Sequence, residues 1–466
     1  MTAAHGRPSA IDDLLEALPA ELPSVERRAV LPGGFAAGAV AAGIKASGRP
    51  DLAVIRTTNG PAAAAAVFTQ HPFAAAPVLL SRTHLQASAP DSDGGFGWAE
   101  AIIATSGCAN AATGAAGEAD QLEVARLLTQ ATGIPANRTL HLSTGMIGTR
   151  LPLAAVGSAL ATLVPTGLTG TDADWEAVAV ALRTTDSRTK LASTVIALPD
   201  ADGYAVRSVI VSGCAKGVGM IHPGMATMLS VILTDAAIEP ALLRDLLRPA
   251  AARTWDQLTV DGDTSTNDTV FVLASGASRT APVHAGSDAA RQLGRAIEGI
   301  ARDLARQQAA DGEGATTLLT CQVSGAVDDA EARAIARSVV GSSLVKAAAH
   351  GRDPNWGRIV AAAGNGRLAD AAVLQAAGLS DADALTRAGR PVTLDPARLR
   401  IAIAGQRVFD GPAGGALSFD RSAARATMDA AEILVRLDAG LGSGRGEAFG
   451  CDLTEEYVIE NAEYTT

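Results

Sequence analysis

The sequence predicts an α/β protein in which short strands alternate with helices. Strands are indicated by short apolar, often β-branched runs bounded by turn residues, and helices by apolar residues three and four positions apart. At 466 residues, with 48% hydrophobic and only 3% aromatic residues, the chain can bury a large core of Ala, Val, Leu and Ile. The length indicates two or three domains, or one large domain with a smaller one.

Each element follows from its local pattern, taken in chain order. Before the middle of the chain, the predicted strands are 52–56, 64–69, 75–80, 101–104, 192–197 and 205–212, and the predicted helices are 118–131 and 174–184. Further on, we expect a strand at 230–234, helices at 240–255, 288–309 and 422–437, a strand or helix at 329–339, and a strand-like segment at 457–459. We divide the chain into an arm (1–28), a main domain (29–320) and a smaller lobe (321–466).

Composition excludes several classes of function. A net charge of -11 and few aromatic residues disfavour nucleic acid and anionic membranes as partners. No segment has the apolar length of a membrane span, so the expected location is the cytoplasm. The four cysteines form no C-x-x-C pair, and the sequence therefore predicts buried thiols and no metal or disulfide framework; they are Cys108, Cys214, Cys321 and Cys451.

Lysine is rare in this chain. Of 38 basic residues only four are lysines, namely Lys45, Lys190, Lys216 and Lys346. A lysine in an arginine-rich sequence is expected where a compact ammonium is needed. Lys216 stands out because it opens the most distinctive stretch of the chain.

That stretch reads KGVGMIHPGMATML and covers residues 216–229. Its glycines and proline indicate a turn that leads into a strand, with Thr227 near the strand's start. If the bond between Ala226 and Thr227 is cut, the Thr227 hydroxyl and a free amine belong to one residue, which suits a nucleophile. We therefore predict self-cleavage there, although a threonine in this position is more often structural.

Other hydrolytic motifs are missing from the sequence. There is no G-x-S-x-G or H-E-x-x-H motif, the seven histidines lack metal-ligand spacing, and His222 is too close to Thr227 along the chain to serve as its base. The STGMIG motif at 143–148 offers the Thr144 hydroxyl and the Gly145 N–H as donors to an oxyanion. Considered alone, it would be an ordinary turn.

Several long motifs, in order, resemble the ornithine acetyltransferase family of arginine biosynthesis, the bifunctional glutamate N-acetyltransferases. They run from about residue 30 to the end of the chain and include AAGIKASGRPDLAVI, SGCANAATG, STGMIG, TTDSRTK, CAKGVGMIHPGMATMLSVILTDA, VDGDTSTNDTV, DGEGAT, DPNWGRI and CDLTEEYVIENAEYTT. The resemblance implies helix, sheet, sheet and helix layers similar to N-terminal nucleophile hydrolases but connected differently, with a smaller C-terminal α/β lobe. It also implies chains 1–226 and 227–466 that stay associated, commonly as two such pairs (α2β2), and no cofactor.

The resemblance also assigns roles to individual residues. Thr227 would be the nucleophile, and Thr144 and Gly145 would form the oxyanion hole. The residues implied to contact the amino-acid substrate are Thr184, Lys216, Thr227, Glu313, Asn461 and Thr466. An ammonium suits the substrate's carboxylate, and a carboxylate suits its basic end.

The expected reaction moves an acetyl group from N2-acetyl-L-ornithine to L-glutamate through acetyl-Thr227, with acetyl-CoA as a further potential donor. Two alternatives stay open: an amidase or aminopeptidase of similar architecture, in which water accepts the acyl group, and an acetyltransferase of a specialised pathway with another acceptor. A non-catalytic binding protein would show no chain cleavage.

Overall fold

The computed structural model describes residues 22–200, 202, 205–222 and 228–463. Ala226, Thr227 and Thr466 lie outside these residues, as does most of the predicted arm. The chain forms two compact units. The larger unit comprises Pro23–Asp256 and Asp261–Glu313, and the smaller comprises Gln257–Val260 and Gly314–Ala462.

The strands of the described residues are, in order, β1 Phe35–Val40, β2 Leu52–Thr57, β3 Ala62–Phe68, β4 Phe96–Ala99, β5 Ala101–Cys108, β6 Thr139–Met146, β7 Lys190–Pro199, β8 Val206–Lys216, β9 Leu229–Thr234, β10 Thr269–Ala274, β11 Leu318–Ala326, β12 Arg400–Ile403, β13 Gln406–Asp410, β14 Gly415–Ala416, β15 Glu432–Asp438 and β16 Gly444–Cys451.

The α-helices are Ala76–Ser88, Gly114–Thr132, Leu153–Thr166, Asp172–Leu182, Pro240–Arg253, Asp288–Ala310, Asp329–Gly341, Ser343–His350, Trp356–Gly364, Ala371–Ala376, Asp381–Arg387, Arg421–Thr427 and Glu455–Glu463. None of the helices in the described part of the chain is long and apolar enough to cross a membrane.

Two sheets form the centre of the larger unit. One has four strands in the order β1-β2-β5-β6, with β5 and β6 parallel, and the other has six in the order β4-β3-β10-β9-β8-β7, with β9 and β10 parallel. The central strands β2, β9 and β10 are buried along all or nearly all of their length, and since successive side chains point to opposite faces, each sheet presents two apolar faces. Both sheets are therefore buried on both sides.

The apolar faces produce four layers. Ile55 and Ile102, on the inner face of the four-stranded sheet, share a core with Val231 and Phe271 of the other sheet. The outer face packs against the helices Gly114–Thr132 and Leu153–Thr166, and the outer face of the six-stranded sheet packs against Pro240–Arg253 and Asp288–Ala310. The predicted α/β class and the helix, sheet, sheet and helix layers are confirmed.

The smaller unit is an α/β lobe built on one mixed sheet in the order β14-β13-β12-β15-β11-β16. The helix Asp329–Gly341 packs on β11 and β16, and its side chains Ile335 and Val339 are fully buried. The predicted boundary after residue 320 falls inside β11, whereas the compact units change between Glu313 and Gly314.

Three predicted elements are wrong. Residues 75–80 begin the helix Ala76–Ser88, because Pro77 fits a helix's first turn and a short apolar run does not distinguish strand from helix. The predicted helix 422–437 ends at Thr427 and is followed by β15, whose buried and less buried residues alternate. Residues 457–459 are helical, since the Thr454 hydroxyl accepts the Tyr457 N–H at 3.3 Å and caps that helix.

Candidate active site

Thr144 and Gly145 lie at the carboxyl end of β6, beside the parallel strand β5. Gly107 lies opposite Gly145, and both glycines have positive φ, 111° and 124°. A Cβ on Gly145 would lie 2.3 Å from the Gly107 carbonyl carbon, closer than any real contact. The backbone at this turn therefore requires glycine at position 145.

Lys216 reaches this turn from the six-stranded sheet. It ends β8, opposite Leu229 at the start of β9, and its Nζ donates a hydrogen bond of 2.9 Å to the Thr144 hydroxyl. Both side chains are buried. Burial lowers the pKa of Lys216, while the Asp186 carboxylate raises it. The fold thus brings together two residues that the sequence predicted for different roles.

Thr184 and Glu313 belong to two loops that meet next to the Lys216 strand. The Thr185 hydroxyl donates to Glu313 Oε1 at 2.9 Å, and the Glu313 N–H donates to the Val218 carbonyl at 2.9 Å. Thr184 is held through its own N–H, which donates to Asp186 Oδ2 at 3.1 Å. Because Val218 lies two residues after Lys216, this backbone contact holds Glu313 close to the end of the Lys216 strand.

Lys190 is a buried cation that the sequence analysis did not assign to the site. Its Nζ lies 2.6 Å from Asp186 Oδ1 and 2.6 Å from Asp311 Oδ2. The rarity of lysine in the sequence could have indicated this residue. Lys190, Lys216 and Lys346 are all buried, and the Lys45 ammonium donates to two backbone carbonyls. The lysine argument applied to Lys216 extends to the other three.

Residues 261–268 form hydrogen bonds with the chain just before and just after the undescribed residues 223–227. Asp261 accepts the N–H groups of Met220 and Ile221, and the Thr264 hydroxyl donates to the His222 carbonyl at 2.9 Å. Asp268 Oδ1 accepts the Met228 N–H at 2.9 Å. The sequence analysis used this segment only as a family motif and missed these contacts.

Asn267 contacts the chain at the ends of β5 and β6, and Asp268 contacts the residue before β9. The Asn267 side-chain amide donates to the carbonyls of Ala109 at 2.7 Å and Ser143 at 2.9 Å, which steadies the residue before Thr144. Asp268 is fully buried, and its Oδ2 has no hydrogen-bond partner among the described residues. Burial raises the pKa of Asp268 well above its ordinary value.

Asn461, the remaining described residue of the predicted set, lies on the helix Glu455–Glu463 of the smaller unit. It is exposed, and its side-chain amide donates to the Tyr457 carbonyl at 2.9 Å. The predicted roles of Ala226, Thr227 and Thr466 fall on residues that the structure does not describe.

All four cysteines are buried free thiols, as predicted. Across residues 22–200, 205–222 and 228–463, no three His, Cys, Asp or Glu side chains are grouped so that they could hold a metal ion.

The chain is similar to known proteins over nearly its full length. The model of the ArgJ family matches residues 36–466. The arginine biosynthesis bifunctional protein ArgJ of Synechococcus sp. is 44% identical over 439 residues, which cover 93% of this chain and 96% of the relative. The protein of the same name from Thermus thermophilus is 40% identical, covering 94% and 99%.

Two solved structures are also similar to this chain. A crystal structure of ArgJ from Bacillus halodurans is 35% identical, with a TM-score of 0.44, and the match covers 51% of this chain and 99% of that one. Ornithine acetyltransferase from Mycobacterium tuberculosis, complexed with ornithine, is 35% identical, with a TM-score of 0.36 and coverage of 43% and 97%. By its match to the family model and its identity to these relatives, the chain belongs to the ArgJ family.

Proposed function

We propose that this protein transfers the acetyl group of N2-acetyl-L-ornithine to L-glutamate. The observation that carries the proposal is the contact between Lys216 and Thr144, two residues of separate family motifs. Because the Thr144 oxygen accepts a hydrogen bond from Lys216, its own proton is available to another acceptor. Thr144 and Gly145 then serve as oxyanion donors, and Lys216 retains N–H groups for the substrate's carboxylate.

The enzyme first cuts its own chain. The Thr227 hydroxyl attacks the Ala226 carbonyl, the new C–O bond replaces the C–N bond, and the hydroxyl proton ends on the released amine. Water hydrolyses this ester and leaves chains 1–226 and 227–466. The new α-amine has an ordinary pKa of about 8, so near neutral pH it can accept the proton of its own hydroxyl.

Acetyl transfer then takes place in two half-reactions. Thr227 attacks the acetyl carbonyl of N2-acetylornithine, the amide bond breaks, and ornithine leaves with the proton on its amine. The uncharged amine of glutamate next attacks the acetyl ester, and the Thr227 oxygen recovers a proton. Oxyanion donors of this kind contribute about 3 to 4 kcal/mol each to the transition state.

Support for the substrate comes from the residues around Lys216. Glu313 is held by Thr185 and by its own backbone, and it supplies a carboxylate for the basic end of ornithine. Thr184, Asn461, Thr227 and Thr466 complete the proposed amino-acid site. We further propose a cytoplasmic enzyme of two associated chains, paired as α2β2, that uses no cofactor and accepts acetyl-CoA as a second donor.

Denaturing gels and mass spectrometry of the purified protein test the cleavage. We expect two chains, the second beginning at Thr227, and a single chain for Thr227→Ala. A wild-type chain that stays intact yet transfers acetyl would contradict the mechanism.

Labelled N2-acetylornithine, incubated with and without glutamate, tests the transfer. We expect the label on glutamate. Release of labelled acetate alone would instead identify the amidase alternative, and transfer only to other amino acids would identify a specialised pathway.

A further inference from the structure

Asp186, Lys190 and Asp311 form a cluster of buried charges next to Gly217, the residue after Lys216. The proposed transfer does not use them. Lys190 is fully buried and contacts Asp186 and Asp311 at 2.6 Å each. Removing ions from water costs several kcal/mol per charge, so such a cluster is weak evidence for a stabilising role. What its members contact is more informative.

Asp186 contacts the backbone of two predicted substrate-binding segments. Its Oδ1 accepts the Gly217 N–H at 2.9 Å, and Gly217 directly follows Lys216. Its Oδ2 accepts the Thr184 N–H at 3.1 Å. One carboxylate therefore fixes the chain next to both Lys216 and Thr184.

Lys190 and Asp311 hold Asp186 in turn. Asp311 accepts hydrogen bonds from both the N–H, at 3.2 Å, and the hydroxyl of Ser187. Lys190 joins the two carboxylates, and it lies 121 residues from Asp311 in the sequence. Asp186 cannot turn away from Gly217 without breaking this pairing.

Asp186 also supplies the charge that Lys216 needs. Burial lowers the pKa of Lys216, and the Asp186 carboxylate is the strongest of the influences that raise it. Burial would raise the pKa of Asp186, but the charges of Lys190 and Lys216 and its hydrogen bonds hold it at about 2. Asp186 is therefore negative at any physiological pH. The other titratable groups that act on Lys216 are Lys190, Glu313, Asp268 and Lys45.

We propose that Asp186, anchored by Lys190, is a positioning residue that keeps Lys216 charged and directed at Thr144, ready to bind the carboxylate of an α-amino acid. This inference rests on the proposed function in one respect, the role of Lys216 in binding that carboxylate. Asp186 acts through Lys216, whose following residue it holds by the Gly217 N–H.

Glutamate binding, measured by calorimetry across a pH series, tests the proposal. Asp186→Asn keeps the shape and an acceptor for an N–H but removes the negative charge beside Lys216. As pH rises, the variant should therefore lose the Lys216 ammonium, and with it glutamate affinity, at a pH at least about one unit lower than the wild type does. Asp311→Asn is the matched control, because it also removes one carboxylate from Lys190 but leaves the charge beside Lys216. Its pH midpoint should stay at the wild-type value.

Two results would overturn the proposal. One is equal weakening of Asp186→Asn at every pH, with an unmoved midpoint, which is the behaviour of a merely structural residue. The other is an equal shift of the midpoint in both variants. Failure of the proposed function is seen separately, as a wild-type protein that binds glutamate but does not acetylate it.

A second measurement covers the case in which Asp186→Asn does not fold. With only four lysines in the chain, lysine side-chain NMR of the wild-type protein can follow each ammonium, with Lys216→Met identifying the Lys216 signal. We expect Lys216 to be charged at about pH 7 despite its burial. A neutral Lys216 at that pH would refute the role of Asp186.

Discussion

The Lys216 ammonium donates a hydrogen bond of 2.9 Å to the Thr144 hydroxyl, across 72 residues of sequence. The donor orients the threonine oxygen, because that oxygen must then direct its own proton elsewhere. If Lys216 binds the substrate's carboxylate and Thr144 binds an oxyanion, as we propose, this one contact couples two roles that the sequence assigned to separate residues.

Replacing Thr144 should affect the chemical step. Thr144→Val keeps the shape but removes the hydroxyl, and we expect kcat to fall by about 10² to 10³ fold, as for other single oxyanion donors. Thr144→Ser, which keeps the hydroxyl, is the control and should retain most activity. Steady-state kinetics with N2-acetylornithine and glutamate measure both, and equal losses in the two variants would contradict the role.

Replacing Lys216 should mainly weaken substrate binding. Lys216→Ala removes the ammonium proposed to bind the carboxylate, so KM should rise while self-cleavage is largely preserved. Initial-rate measurements give KM, and a denaturing gel gives the extent of cleavage. Loss of cleavage with unchanged binding would show that the assignment is wrong.

Two glycines of the STGMIG motif offer a matched pair. Gly145→Ala places a Cβ 2.3 Å from the Gly107 backbone, whereas a Cβ on Gly148 meets nothing within 4 Å. Both positions have positive φ, so backbone strain on the order of 1 to 2 kcal/mol is expected in both variants. We expect Gly145→Ala to lose far more activity and thermal stability than Gly148→Ala, and similar losses would show that the close approach to β5 is not limiting.

Thr185 should tune the recognition of a basic substrate. Its hydroxyl donates to Glu313 Oε1 at 2.9 Å, and a hydrogen bond to a charged group contributes about 1.5 to 3 kcal/mol. We expect Thr185→Val to raise KM for N2-acetylornithine by about tenfold or more and Thr185→Ser to leave it nearly unchanged. An unaltered KM in Thr185→Val would mean that Glu313 needs no such support.

His141 should make the fold sensitive to acid. It is fully buried between Gln121 and Thr139, and burial, followed by the charge of His84, lowers its pKa to about 3. The unfolded chain binds a proton below about pH 6.5 that the folded chain does not, so stability is lost as pH falls from about 6.5 towards 3, by up to about 1.4 kcal/mol per pH unit. In urea unfolding at several pH values, His141→Gln should show a shallower pH dependence, and an equal slope would contradict this origin.

Much of the site could be predicted because its residues stand at the ends of strongly patterned strands. Thr144 lies near the end of β6, and Lys216 ends β8, which was expected from the apolar run at 205–212. The errors arose where local pattern is ambiguous. The apolar run at 75–80 suits strand and helix equally, and the short sequence at 457–459 is made helical by the Thr454 cap.

The sequence by itself determined the family, the α/β class and the residue types of the site, since apolar periodicity and motif order are local properties of the chain. Only the tertiary structure decided that Lys216 contacts Thr144 and that Asn267 contacts the Ser143 carbonyl. It also decided that Asp186, paired with Lys190, accepts the N–H of the residue after Lys216. The physical reason is that these partners are far apart in sequence. A buried polar or charged group needs a hydrogen-bond partner, but only the packing of the two sheets determines which groups become partners.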